Sequence, residues 1–238
     1  LKFQSNDYIC RLKKRNKTSG KMVLKTYKKY KKHIFYMVPS QLINTFSYTL
    51  INFSIISLFT AKEAGFYSIS YMVLGLPLIL ISNNVSRVYL QNLRSLTIEG
   101  KSMWKNYTIV VGVLGILSII GFSLLAIIAP NVTEFLFGKG YDESGKYITI
   151  LCFMFSLRFI ASSITGAYVF FNKQNVDAIF QSLLVMLGLI VYFITYFLNL
   201  NIYEYLSLIS ISYGIIYLII LVNLGLICKN YDYKNIFQ

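Results

Sequence analysis

Charge is scarce in this chain. Only 13% of its 238 residues are Asp, Glu, Lys or Arg, whereas a soluble domain carries about a quarter. More than half of the residues are apolar, and six long stretches hold almost no charge. That shortage excludes a soluble globular domain and places the chain in the membrane class. Cysteine is also sparse. Cys10, Cys152 and Cys228 lie far apart, one in a basic leader and two in apolar stretches, which excludes a disulfide framework and a zinc site. The one histidine, His33, falls at a membrane boundary and reads as an interfacial residue. Acidic groups are missing from the centre of every apolar stretch. Asp177 and Glu204 sit at stretch ends, and Glu63, Glu99, Glu134, Asp142 and Glu143 sit in loops, so a proton relay or cation site of midplane carboxylates is excluded. No phosphate-cradling glycine loop, zinc-spaced His/Cys set or nucleophile elbow occurs. An enzyme is therefore not expected, and neither is a cofactor.

What charge there is lies mostly at one end. The net charge is +14, and twelve of the 23 Lys and Arg precede residue 33. A basic block beside a membrane segment marks a cytoplasmic face, so nucleic acid is not an expected partner. From this leader, residues 1–33, into the first span, Val23, Tyr27, Tyr30, Ile34 and Met37 recur at helical spacing, the first three among lysines. Two readings stand: a helix lying on an anionic lipid surface before turning into the membrane, or a solvated linker.

The apolar stretches predict an all-α polytopic bundle of about six transmembrane helices over 34–228, followed by a short tail, 229–238. The spans fall near 34–59, 66–90, 107–129, 147–171, 177–199 and 205–228. Each crosses about 30 Å of hydrocarbon at about 1.5 Å per residue. The turn at 60–65 must be tight, and the third span is expected to end at Pro130. With the N-terminus inside, the inner face carries nineteen basic residues against three on the outer face, which predicts both termini in the cytoplasm. The outer loop 130–146 contains FLFGKGYDESG. Its aromatic front suggests a hairpin dipping into the interface, with Gly138 and Gly140 allowing the turn.

Arg158 is the sharpest single signal, because no other charge occurs from Tyr147 to Asn172. An arginine at a helix centre costs about 2.5–3.5 kcal/mol on the lenient insertion scale, so it must face a bundle interior or wet cavity. Ser162 and Thr165 share its helical face. Its planar fork suits phosphate; the other reading is a structural arginine paired with carbonyls or a distant carboxylate. In the first span Gln41, Asn44, Tyr48 and Asn52 form a polar stripe. The stripe either lines a cavity or holds neighbouring helices. Pro39 suits a first helical turn. The second span holds Gly75–Pro77, then Ser82, Asn83 and Asn84, and a Gly/Pro interruption often marks a bend beside a transporter's site. Arg87 follows, and either snorkels to the surface or meets an anionic substrate. Tyrosine and phenylalanine at span ends read as an interfacial belt.

Three segments carry a resemblance: AGFYSISYMVLGLPLILISNNVSRVYLQNL at 64–93, APNVTEFLFGKGYDESGKY at 129–147 and LRFIASSITGAYVFFNKQN at 157–175. In order and spacing they resemble the bacterial polysaccharide-biosynthesis membrane proteins, the O-antigen and capsule flippases of the multidrug/oligosaccharidyl-lipid/polysaccharide exporter superfamily. The leader followed by FYMVPSQLIN, 35–44, resembles the junction between that family's two six-helix lobes. The resemblance implies one lobe, helices seven to twelve, of a two-lobe exporter in the bacterial cytoplasmic membrane. It implies an undecaprenyl-pyrophosphate-linked oligosaccharide as substrate, moved to the outer leaflet by alternating access. Arg158 and then Arg87 would meet its anionic groups, with Ser162, Thr165, Gln41, Asn44, Asn52 and Asn83 around them. Membrane lipids, the N-terminal lobe and the polysaccharide polymerase machinery would be its partners. A start at Leu1 suggests a fragment. The rival readings are a drug/cation antiporter of the same superfamily and a noncatalytic flippase remnant or membrane partner.

Overall fold

The computed structural model describes residues 20–236, with side chains from 38 to 233. The first half of the basic leader, residues 1–19, lies outside the described residues. Six long helices and one single turn follow in order: α1 (Gly20–Leu58), α2 (Ala61–Glu99), α3 (Met103–Phe137), α4 (Asp142–Ile164), α5 (Ala167–Phe170), α6 (Gln174–Leu198) and α7 (Ile202–Ile236). Among the described residues there is no strand. Backbone polar groups cannot be left unpaired in hydrocarbon, and helices satisfy them locally.

Five segments are long and apolar enough to cross a membrane: α2, α3, α4 continued through α5, α6 and α7. The chain is a multi-pass membrane protein. The expected first span is part of α1, which at 39 residues has the length. It is less apolar because Gln41, Asn44 and Asn52 interrupt it. Pro39, expected in a first helical turn, lies instead inside α1, which runs unbroken from Gly20 to Leu58.

The helix ends follow from local chemistry. Thr60 accepts from the Glu63 amide at 3.2 Å while the Glu63 carboxylate accepts from the Thr60 amide at 2.9 Å. This capping box makes the tight turn predicted between α1 and α2. Gly100 stops α2 with φ 63°, a left-handed conformation that glycine adopts without strain. Asn199 does the same after α6 at φ 50°.

Two expectations for α3 are overturned. The helix does not end at Pro130 but runs through it to Phe137. A proline removes the amide that would bond the carbonyl four residues back, here Ala126. The Thr149 hydroxyl of α4 donates to that carbonyl at 3.0 Å instead. Phe135–Phe137 then form the last turn of α3 rather than a dipping hairpin. The reversal falls at Gly138 and Gly140, with φ 96° and 95°, as the glycines predict.

α4 is the hub. It packs on α2, α3 and α7, while α1 pairs chiefly with α6. Its core face includes Ile148, Leu151, Phe155 and Ile164, all fully buried. Close approach depends on small residues: a Cβ on Gly145 would lie 2.3 Å from Pro130 Cα. The outward faces of α3 and α6, including Ile116, Ile119, Ile127 and Phe197, are exposed and apolar, as a lipid-facing surface requires. α2 continues through Pro77 as helix. With α1 leaning on α6, a gap opens among α1, α2 and α4.

Candidate functional site

That gap is a cavity of about 470 Å³, within the range of small-ligand sites. It is lined from α1, α2, α4, α5, α6 and α7. Its lining runs from the level of Arg158 to the start of α6. It therefore occupies the half of the bundle nearer the Gly100–Ser102 turn.

The structure brings six of the eight residues singled out from the sequence to this cavity: Arg158, Ser162, Thr165, Gln41, Asn44 and Asn83. Two are elsewhere. Asn52 lies one helical turn beyond the cavity residue Tyr48 on α1, outside the cavity lining, and its Oδ1 is buried without a hydrogen-bond partner. Arg87 is exposed, one turn past Asn83 on α2, outside the cavity lining.

Arg158 is held by aromatic faces. Its guanidinium carbon lies 3.7 Å from the Tyr48 ring centroid, 5.2 Å from Phe155 and 5.7 Å from Tyr71. Such contacts attract a cation by about 0.5–2 kcal/mol each. Tyr48 is fixed in turn by a hydroxyl contact to Tyr217 of α7. Among the described residues, no carboxylate forms a salt bridge with Arg158, so the distant-carboxylate pairing is not observed. Its Nη1 is buried and has no hydrogen-bond partner. A guanidinium with donor capacity unspent inside a polar cavity can receive an anion.

The opposite wall carries a polar chain that sequence reasoning did not assemble. Ser40 of α1 donates to Asp177 of α6 at 2.6 Å. Gln181 donates to the same carboxylate at 3.2 Å and accepts from Asn44 at 2.6 Å. Asp177 sits in the first turn of α6, at a span end as expected, yet it lines the cavity. Its i, i+4 spacing to Gln181 was the available signal. The same chain gives part of the α1 stripe its second role, holding a neighbouring helix. Tyr71 and Tyr217, which also line the cavity, were missed as site residues because aromatic side chains read first as belt or core; Tyr48 was already in the α1 stripe.

Fold and site together define a polytopic helix bundle with a polar cavity that holds Arg158 and Asp177. A family model described as polysaccharide biosynthesis protein matches residues 8–146, more than half of the chain, and the chain belongs to that family. No curated protein and no solved structure matches it. Membership supports a role in polysaccharide synthesis or export. The match covers the α1 and α2 walls of the cavity and ends before Arg158.

Proposed function

We propose that this chain forms one lobe of an exporter that flips undecaprenyl-pyrophosphate-linked polysaccharide units across the bacterial cytoplasmic membrane by alternating access. The observation that carries the reading is Arg158, stacked on Tyr48 with a buried, unspent Nη1 at the edge of the polar cavity. Moving a pyrophosphate and a glycan through hydrocarbon is prohibitive unless a polar cavity replaces water. A guanidinium can take two phosphate oxygens at once. Ser162, Thr165, Asn83 and Gln41 supply hydroxyl and amide groups suited to sugar hydroxyls. A cavity of about 470 Å³ fits part of a repeat unit, in keeping with a second lobe closing over the remainder. Rocking between lobes would then change access.

Both termini would be cytoplasmic, so the cavity half of the lobe would face the side on which the substrate is made. Chemistry is not performed, so the chain is not an enzyme on this reading. Its partners are the lipid-linked oligosaccharide, membrane lipids, the N-terminal lobe and the polymerase that receives the flipped unit.

The test is paired and done in cells deleted for the intact gene. Surface glycan should fall while the lipid-linked oligosaccharide accumulates, and the gene carrying Arg158→Ala should fail to restore either. Normal levels of both would overturn the assignment. One observation favours the antiporter reading: Asp177, flanked by Ser40 and Gln181, is a carboxylate on the cavity wall and suits a small cation. Drug sensitivity in the same deletion strain, with unchanged glycan, would select that reading.

A further inference from the structure

The polar cavity has a floor. On α1, α2, α4 and α7 its lining ends at Tyr48, Tyr71, Arg158 and Tyr217, which neighbour one another. Rings make up most of this floor. Tyr48 lies 5.6 Å from Tyr71 and 6.0 Å from Tyr213, and Tyr71 lies 6.2 Å from Tyr67. Beyond it, towards the Thr60 and Asn199 turns, the same helices are packed shut. Ile51 and Ile55 of α1, Tyr67 of α2 and Tyr205 and Tyr213 of α7 are all buried. α6 closes over Tyr213 at Gly188, where a Cβ would lie 2.8 Å from the Tyr213 hydroxyl.

The closed half holds polar atoms that it does not pair. Its serines Ser54 and Ser70 donate to carbonyls one turn back on their own helices. Asn52 Oδ1 of α1, the Tyr67 hydroxyl of α2 and Thr195 Oγ1 of α6 are buried and have no hydrogen-bond partner among the described residues. An unpaired polar atom in a dry interior is costly, and low dielectric raises that cost. Leu, Phe and Val at these three positions would pack as well without it. Polar residues on three separate helices are accounted for by a second arrangement, in which this half is wet and each group finds a partner.

We propose that the tyrosine floor is a gate, and that the half beyond it is a latent polar compartment that opens towards the Thr60 and Asn199 turns when access alternates. This rests on the flipping reading and adds where the second opening runs. Arg158 links the two halves, because its stack on Tyr48 is part of the floor while its Nη1 is the group an anion would take. The unpaired oxygens narrow the gap between the two states, since opening pairs them.

The test uses the intact gene carrying Cys10→Ser. Tyr67→Phe and Thr195→Val remove the unpaired oxygens and keep the shapes. The double variant should favour the closed state. It should unfold about 2–4 °C later in detergent, and its glycan export should fall. Ile51→Cys, buried in the closed half, should react in intact cells with a membrane-impermeant maleimide, more slowly than the exposed Lys139→Cys. The double variant should slow that reaction about tenfold. Ile55→Cys repeats the measurement in case Ile51→Cys misfolds. No reaction at either buried cysteine, while Lys139→Cys reacts, would mean that this half stays shut and would overturn the gate. Equal rates with and without the double variant would overturn it too. So would earlier unfolding of the double variant, because the oxygens would then already be partnered. Unchanged export by the double variant, with Arg158→Ala defective, would remove the gate and leave the flipping reading standing. Normal glycan and lipid-linked pools in the deletion strain would remove the flipping reading, and the maleimide rates would then decide the gate alone.

Discussion

A lone cation inside an apolar bundle needs compensation, and Arg158 finds it in rings rather than carboxylates. Tyr48 lies directly under its guanidinium, and Tyr71 and Phe155 flank it. Quadrupole attraction keeps the charge while leaving Nη1 without a partner, where a bidentate salt bridge would occupy it. Arg158→Lys should therefore be a poor replacement, since an ammonium neither stacks nor forks. Relative to the parent, glycan export by Arg158→Lys should fall about tenfold or more, a loss of about 1.4 kcal/mol in anion recognition. Tyr48→Phe keeps the ring and loses only the contact with the Tyr217 hydroxyl, so it should retain most export. If Tyr48→Phe were as defective as Arg158→Ala, the hydroxyl and not the ring would carry the interaction. Arg158, Ser162 and Thr165 were legible in the sequence because one charge in a long apolar span has few explanations. Tyr71 and Tyr217 were not. A tyrosine in an apolar span serves equally as belt, core or site, and only the assembly of α2 and α7 around α4 separates those roles. Arg87 and Asn52 illustrate the converse. Their chemistry suits a site, yet α2 carries Arg87 one turn past Asn83, and α1 carries Asn52 beyond the cavity residues.

At the scale of elements, hydropathy revealed the helices but not how they survive their prolines. α3 passes through Pro130 because Thr149 of α4 satisfies the Ala126 carbonyl and Gly145 lets the two backbones meet. Neither partner is local in sequence, so a proline at the end of an apolar run reads as a terminus. Thr149→Val keeps the shape and leaves that carbonyl unpaired. It should lower stability by about 1–3 kcal/mol, seen as earlier thermal unfolding of the detergent-solubilised protein. Gly145→Ala should be worse, because its Cβ would meet backbone that cannot move aside. The start of α3 is bound across the bundle as well. Asp232 near the end of α7 accepts from the Ser102 hydroxyl at 2.6 Å and from the Met103 and Trp104 amides at 2.8 and 2.9 Å. A carboxylate at a helix N-terminus satisfies orphan amides and complements the helix dipole. Asp232→Ala should destabilise the chain by about 1–2 kcal/mol and raise proteolysis in the Gly100–Ser102 turn. An unchanged unfolding temperature would show that water replaces the carboxylate fully.

For the whole molecule, the arrangement of helices makes orientation a functional statement. α1 is bound to α6 through Ser40–Asp177 and Asn44–Gln181, and the cavity shares its half of the bundle with these bonds. The turns at Thr60, Gly138–Gly140 and Asn199 lie at the other end. Uneven distribution of basic residues predicts that this other end is outside, and the flipping reading needs it so, because the head must enter from the side where it is made. Single cysteines test this directly. Cys152 and Cys228 are buried, so replacing Cys10 with serine leaves little background. In intact cells a membrane-impermeant maleimide should modify Lys139→Cys, on the exposed turn after α3. It should reach Lys101→Cys, on the exposed turn after α2, only once the membrane is opened. The reverse pattern would place the mouth of the cavity outside. Arg158 would then meet its anion from the wrong side for export, and the direction of transport proposed for this lobe would have to be abandoned.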